Sequence, residues 1–322
     1  MNGSATRLRA ALLGALLCGG IQSVGIGAAN AQTAAKTLFD AADTPAPGAS
    51  ESIGSYAKGC MSGAVELPAD GPNYQAMRLS RDRHWGHPVL RSFIEDFAAK
   101  VHDRGVWPGV LIGDMSMPRG GPMPSGHSSH QIGLDTDVWL RPMPKERLSE
   151  AEREDFPFRT VLKAGSLTVD DTVWNDSYRE VVKLAATDSR VQRVLVHPGI
   201  KKKLCETTSG DRTWLNKIRP YYGHDSHMHV RLFCQPGSPD CEPQRSTGKG
   251  DGCDDLDWWF DVALQPPPPN AKPYKPKPDL TLADLPQRCA AVLRAGPDGV
   301  KAVAALAPET GAVPHPTPRP SR

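Results

Sequence analysis

Residues 223 to 233 read GHDSHMHVRLF, and this stretch indicates how the protein folds. From residue 227 onward, polar and apolar side chains alternate, which is the period of a β-strand with one face against the core. The apolar side chains at positions 228, 230 and 232 would point inward, and the opposite face would carry His227, His229 and Arg231. Because side chains two residues apart on a strand run parallel, the two imidazoles can serve one site.

A second histidine-rich stretch, residues 113 to 140, reads GDMSMPRGGPMPSGHSSHQIGLDTDVWL. Its first half is rich in glycine, proline and serine, which is typical of a loop. From Leu134 the pattern alternates again, so a strand would point Asp137 away from the apolar core. His130, in the loop just before, can return to the same side, and Asp114 and Asp135 are expected to support the ligands rather than bind a metal.

These two stretches predict a catalytic zinc site. Such a site uses three nitrogen or oxygen ligands and keeps a fourth position for water, and His130, Asp137 and His229 supply that number. A neutral His227 could accept a proton from the water and later donate it to a leaving amine, and His224 could orient His227 or share this role.

A single histidine on a strand is usually structural. Here, however, five of the ten histidines fall into these two short stretches, which random placement would rarely produce. The remaining five are expected to be structural, namely His84, His87, His102, His197 and His315.

The N-terminus has the order of a cleavable signal peptide over residues 1–31. Arg7 and Arg9 precede an apolar run over residues 10–18, and Ala29-Asn30-Ala31 follows. That run is too short to span a bilayer, and no later stretch is long enough. Cleavage would leave six cysteines, an even number that predicts three disulfides in an oxidising compartment. The net charge of +2 gives no basis for nucleic-acid binding.

Composition divides the rest of the chain. Residues 32–50 are predicted to be a flexible leader, 51–264 the domain that carries the zinc site and 265–279 a proline-rich linker. Residues 280–295 would form a helix that Cys289 could tether to the body, and 296–322 a disordered tail.

Within the domain, the spacing of apolar residues predicts helices over 89–104, 178–186 and 211–218 and strands over 110–112 and 191–196. The expected fold class is α+β, an antiparallel sheet that carries the zinc site with helices packed on one side.

The order H-x6-D from His130 to Asp137, followed by H-x-H from His227 to His229, resembles a known zinc-site pattern. That pattern occurs in the group of lysostaphin-type peptidases, D-alanyl-D-alanine dipeptidases and Hedgehog signalling domains. Residues 52–56, 113–140 and 223–232 resemble more specifically the penicillin-insensitive murein endopeptidases. The likeness runs from about residue 51 to Cys289.

The resemblance implies a periplasmic zinc enzyme that cuts D-alanyl to meso-diaminopimelyl cross-links in peptidoglycan, without a serine for penicillin to acylate. It places zinc on His130, Asp137 and His229, makes His227 the catalytic base, and matches His127 to another metal-associated histidine. The family has further metal-site residues in its central variable stretch. This chain has no histidine between His130 and His197, so that part of the family pattern is not matched. The implied disulfides are Cys60–Cys289, Cys205–Cys253 and Cys234–Cys241.

Two other functions stay open at this point: a zinc D,D-carboxypeptidase or dipeptidase that trims D-alanine termini, and a non-catalytic wall-binding module with a structural zinc. Dipeptidases of the wider group carry a glutamate shortly before the last histidine ligand, where this chain has His227, which favours the endopeptidase. The sequence leaves both a monomer and a homodimer open.

Overall fold

The computed structural model describes residues 33–254, 256–297 and 299. The described residues all fall in one compact unit. The predicted signal peptide and most of the predicted tail lie outside these residues. None of the described helices is long and apolar enough to cross a bilayer.

The strands are β1 Glu51–Ser55, β2 Lys58–Ser62, β3 Val65–Glu66, β4 Asp70–Gly71, β5 Tyr74–Ala76, β6 Trp85–Gly86, β7 Val110–Ile112, β8 Asp135–Trp139, β9 Val191–Val196, β10 Ile218–Pro220 and β11 His227–Leu232. The α-helices are α1 Ala35–Asp40, α2 Pro88–Asp103, α3 Glu150–Asp155, α4 Asp176–Thr187, α5 Pro198–Thr207 and α6 Gln287–Arg294. Shorter helical turns cover Leu79–Arg81, Thr213–Lys217, Leu282–Asp284 and Trp259–Ala263.

A seven-stranded sheet in the order β10-β9-β11-β8-β7-β5-β4 forms the centre of the fold. The β10–β9 and β5–β7 pairs are parallel, and the other neighbours are antiparallel. The predicted α+β class is confirmed, and the two histidine-rich stretches supply β8 and β11, which pair directly with each other.

Helices α2 and α4 pack on the apolar face of the sheet. Phe93 and Val182 from these helices share one buried cluster with Val138 on β8 and with Met228 and Val230 on β11. Each helix begins where a side chain caps a free backbone N–H: His87 accepts from the N–H of Val89, and Asn175 from that of Ser177. The helices predicted over 89–104 and 178–186 are therefore confirmed.

The predicted helix over 211–218 is wrong. Only a short helical turn forms over Thr213–Lys217, and the chain then enters β10. Ile218 pairs with Val194 at the edge of the sheet, so sheet formation ends the turn before a full helix can develop.

The polar face of an antiparallel sheet often contacts water, but three polar side chains on this face are buried. Asp137, His229 and Arg231 are 4%, 2% and 6% exposed. The loop before β8 covers them, since its His130 contacts His229 from above the strands. The polar side chains of this face are thus held out of bulk water.

A second buried cluster joins the two ends of the described chain. Leu38 and Phe39 of α1 pack there with Cys60 of β2 and with Cys289 and Leu293 of α6. The prediction of a flexible leader therefore does not hold for residues 35–40, because their two large apolar side chains are fully buried.

The segment predicted as one helix over 280–295 is divided at Pro286, which directly precedes α6. All three implied disulfides are present, Cys60–Cys289, Cys205–Cys253 and Cys234–Cys241. The first connects α6 to β2, beyond an exposed proline-rich segment that forms neither helix nor strand over residues 266–279.

Candidate metal centre

Strand register brings the central site residues together. His229 on β11 lies directly opposite Asp137 on β8, and the same register pairs His227 with Trp139 and Arg231 with Asp135. Because paired residues of an antiparallel ladder point to the same face, the alternation read from the sequence places these side chains side by side.

His130 reaches this face from the loop before β8. Its backbone has a φ of 66°, a left-handed conformation that is uncommon outside glycine. The N–H of His130 donates to Asp135 Oδ2 at 3.1 Å, and the Nδ1 lies 2.8 Å from the carbonyl oxygen of Met115. A carbonyl only accepts, so Nδ1 carries the proton and Nε2 is left with a free lone pair facing Asp137 and His229.

Three donor atoms form a compact triangle at this point. His130 Nε2 lies 3.0 Å from His229 Nδ1, and each of these nitrogens lies 3.4 Å from Asp137 Oδ1. A tetrahedral zinc with bonds of about 2.0–2.1 Å places its ligand atoms about 3.3 Å apart. Asp137 Oδ1 is buried and has no hydrogen-bond partner within the described part of the chain. A divalent metal would satisfy that oxygen, so the residues fit such an ion.

His127 forms a second candidate set with two of the same residues. The ligand atoms of His127, His130 and Asp137 all lie within 4.8 Å of one another. However, His127 Nε2 lies 3.1 Å from Asp114 Oδ2 and 3.4 Å from Asp137 Oδ2, on the far side of the Asp137 carboxylate. Asp114 in turn accepts from Arg83 at 2.9 Å. The structure therefore gathers all four predicted ligands, with His127 at the edge of the triangle.

Asp135 fixes the ring of His229. Arg231 donates two hydrogen bonds of 2.8 Å to the Asp135 carboxylate, and Asp135 Oδ1 lies 3.4 Å from His229 Nε2. With Nε2 facing this carboxylate, His229 presents Nδ1 to the triangle. The supporting role predicted for Asp135 agrees with this geometry.

Electrostatics keep Asp137 ionised. Burial alone would raise the pKa of its carboxyl, but the neighbouring His227 ring outweighs burial and holds the pKa well below its ordinary value. Burial lowers the pKa of His130 and so favours its neutral ring. An ionised carboxylate and a neutral imidazole are the forms that bind metal.

His227 and His224 line the same site. His227 Nε2 lies 3.7 Å from Asp137 Oδ2, while its Nδ1 is buried and has no hydrogen-bond partner among the described residues. His224 has a φ of 57°, and its Nδ1 lies 2.7 Å from the carbonyl oxygen of Tyr222. The two rings have centroids 4.9 Å apart. Burial and the two neighbouring histidines lower the pKa of His224 to about 4, so its ring is neutral.

The histidines expected to be structural lie elsewhere where they are described. His87 and His197 cap the first turns of α2 and α5. His84 contacts Glu66, and His102 contacts the carbonyl of Pro108. His315 lies outside the described residues.

Cavities open on both sides of the triangle. One, of about 490 Å³, has a wall that contains Arg193, Arg219 and Tyr222 together with His224 and His229. The other, of about 50 Å³, has a wall with Arg78, Trp139 and Phe158 beside Asp137 and His227. Sequence reasoning assigned no role to these arginines and aromatic residues. For Arg193 the alternation of β9 was an available signal, since it places Arg193 on the face opposite the core.

Comparisons with known proteins identify the family of this chain. Residues 52–294 match the sequence model of a family described as penicillin-insensitive murein endopeptidase. A protein of that name from Yersinia pestis is 43% identical over 251 residues, which cover 77% of this chain and 87% of the relative. One from Haemophilus influenzae is 43% identical over 71% of this chain and 79% of its own length. One from Klebsiella pneumoniae is 40% identical over 82% and 94%. The chain therefore belongs to the penicillin-insensitive murein endopeptidase family.

Proposed function

We propose that this chain is a periplasmic zinc metallo-endopeptidase that hydrolyses the D-alanyl to meso-diaminopimelyl cross-links of peptidoglycan. Membership of the family makes it a metallopeptidase that acts on murein. The three disulfides are consistent with export to an oxidising compartment. The observation that carries the proposal is the triangle of His130, Asp137 and His229 donor atoms.

We assign the metal to that triangle and its identity to zinc. Two imidazole nitrogens and one carboxylate oxygen are a usual ligand set for catalytic zinc, and their spacing suits tetrahedral bonds. His127 is the weaker candidate because Asp114 already accepts a hydrogen bond from its Nε2. It is better suited to hold the Asp137 carboxylate in place, at 3.4 Å from Oδ2.

A zinc ion bound there would lower the pKa of a bound water to about 7 and polarise the substrate carbonyl. His227 is placed to act as the general base, because its Nε2 points towards the ligand Asp137 and its ring lies within the site. It would take a proton from the attacking water and deliver it to the nitrogen of the leaving amine. His224, neutral and beside it, would support the ring of His227.

The substrate would lie across the triangle, with one peptide stem on each side. Trp139 and Phe158, with ring centroids 4.3 Å apart, form an apolar wall on the side of His227. The larger cavity on the other side has a polar, cationic wall. Space on both sides of the triangle suits a cross-linked substrate, whereas a peptidase that removes only a terminal D-alanine needs little room beyond the scissile bond.

Purified cross-linked muropeptide dimers test the proposal. Incubation with the zinc-loaded enzyme should convert dimers to monomers, a chelator should stop the reaction, and penicillin should not affect it. Release of free D-alanine without monomers would replace the proposal by a D,D-carboxypeptidase. Absence of any hydrolysis, with zinc bound, would favour a wall-binding module.

A further inference from the structure

Two arginines beside the metal centre have no acidic partner. Among the residues that the structure describes, neither Arg193 nor Arg219 has a carboxylate oxygen within 4.0 Å, and the Arg219 side chain forms no hydrogen bond. Arg193 donates only to neutral oxygens, those of the Gln192 side chain and the Arg245 carbonyl. Arg231, the third arginine of the same cavity, is neutralised by Asp135.

Strand register sets the position of these arginines relative to the metal ligands. Arg219 on β10 pairs with Leu195 on β9, and Leu195 pairs with His229 on β11. Arg219 is thus two strand spacings, about 10 Å, from His229 on the same face of the sheet. Arg193 is the direct cross-strand neighbour of Arg231. Both arginines line the cavity next to the triangle, and Arg219 Nη1 lies near Gly252.

Like charges close together are unfavourable unless an anion joins them. The pKa of Arg193 is lowered to about 10. Burial is the main cause, and repulsion from Arg231 and Arg219 adds to it. A carboxylate between these groups would relieve the repulsion and accept charge-assisted, bidentate hydrogen bonds. The cavity therefore has the chemistry of a carboxylate site.

The substrate of the proposed function supplies such a group. In a D-alanyl to meso-diaminopimelyl cross-link, the carbon bonded to the scissile nitrogen also carries a free carboxylate. That carboxylate lies only a few bonds from the point of cleavage, so it must enter a site that adjoins the metal centre. The small cavity on the other side is less suitable, because its Arg78 donates to the carbonyl oxygens of Glu154 and Phe156 and its Arg81 pairs with Asp114.

We propose that Arg193 and Arg219 form the subsite that binds the free carboxylate of the diaminopimelyl residue on the amine side of the scissile bond. This assignment rests on the proposed function. It makes the two arginines specificity determinants: they orient the leaving-group side of the substrate and reject cross-links whose carboxylate is missing or neutralised.

The test compares two cross-linked dimers. In one, the diaminopimelyl residue on the amine side keeps its free carboxylate, and in the other this group is a carboxamide. The wild-type enzyme should cleave the carboxylate dimer with a kcat/KM about 10- to 100-fold higher, mainly through KM. Arg219→Gln and Arg193→Gln should lose this preference, with a higher KM for the carboxylate dimer and little change for the carboxamide. Arg104→Gln is the matched control, because its side chain is 61% exposed at the end of α2, away from the cavity, and it should behave as the wild type.

Calorimetric binding of the uncross-linked tetrapeptide, with either the carboxylate or the carboxamide, provides a readout that does not require turnover. Both arginine variants should weaken binding of the carboxylate form only. If the wild type cleaves neither dimer but still binds the carboxylate form selectively, the proposed function fails and the subsite stands. Equal loss on both dimers, or unchanged preference in both variants, would overturn the subsite. The subsite would also be overturned if binding depended on the terminal carboxylate of the peptide and not on the diaminopimelyl carboxylate.

Discussion

Asp137 and His229 lie directly opposite each other on neighbouring antiparallel strands, and Asp137 Oδ1 is 3.4 Å from His229 Nδ1. This register is the reason that a site can form from residues far apart in the sequence. His130 then completes the set from a loop, with its Nε2 3.0 Å from the same nitrogen of His229. The site is thus built mostly on rigid strands, which hold donor atoms at the spacing a metal needs.

Replacing His229 should remove metal and activity together. His229→Ala deletes one of three proposed ligands, so the zinc content measured by mass spectrometry should fall with hydrolysis of muropeptide dimers. His102→Ala is the control, because His102 is exposed and distant from the site. Normal zinc content in His229→Ala would remove His229 from the ligand set and favour the His127 set.

Replacing His227 should separate metal binding from turnover. We expect His227→Ala to keep zinc and to lose about 10²- to 10⁴-fold in kcat, the usual contribution of a general base. Zinc content and single-turnover rates measured on one preparation check this. Full activity in His227→Ala would make the base assignment wrong and would direct attention to His224.

Asp135 should act on the metal through His229. Asp135→Asn weakens the contact that orients the His229 ring, and the zinc dissociation constant should rise about 10- to 100-fold. Competition with a chromogenic chelator measures the constant. Because Asp135 also pairs with the buried Arg231, circular dichroism must first show that the variant is folded.

A variant that keeps the buried charge provides the control for that experiment. Arg231→Lys retains a cation beside Asp135 and leaves the carboxylate that faces His229, so it should change zinc affinity less than Asp135→Asn. If the folded Asp135→Asn binds zinc like the wild type, Asp135 does not orient the ligand.

Asp188 should stabilise the fold at neutral pH, and this contribution should be lost in acid. Burial tends to raise the pKa of its carboxyl, but hydrogen bonds from Arg190 outweigh burial and hold the pKa at about 2. A depressed carboxyl pKa stabilises the fold above the unfolded value, near 4, and the contribution is lost as the pH falls towards 2. Asp188→Asn should therefore lower the free energy of unfolding by about 1–2 kcal/mol at pH 7.

Urea unfolding at pH 7 and pH 2.5 checks this, and the two proteins should converge at the lower pH. Asp176→Asn is the exposed control, since the Asp176 side chain is 88% exposed. A deficit of the same size at both pH values would show that Asp188 does not act through its charge.

The strands of the site were predictable because their period is visible in the residues themselves. Alternation over 134–140 and 227–232 placed Asp137 and His229 on one face, and the register in the structure agrees. The burial of that face was not predictable, because it results from the way the loop before β8 folds back over the sheet.

Other features depend on tertiary contacts that leave little trace in local sequence. The six residues of α1 contain only two large apolar side chains, Leu38 and Phe39. The segment forms a helix because residues far away in the sequence bury these two side chains. The cavity arginines come from β9 and β10, two short strands whose order in the sheet is not encoded in their spacing. The position of Arg219 near the metal site can therefore be recognised only when its strand neighbours are known.

Diffraction data collected on either side of the zinc absorption edge from zinc-loaded crystals test the central claim most directly. We predict one strong anomalous peak about 2.0–2.2 Å from His130 Nε2, Asp137 Oδ1 and His229 Nδ1, with His127 outside bonding distance. A peak bonded to His127, His130 and Asp137 but not to His229 would contradict it.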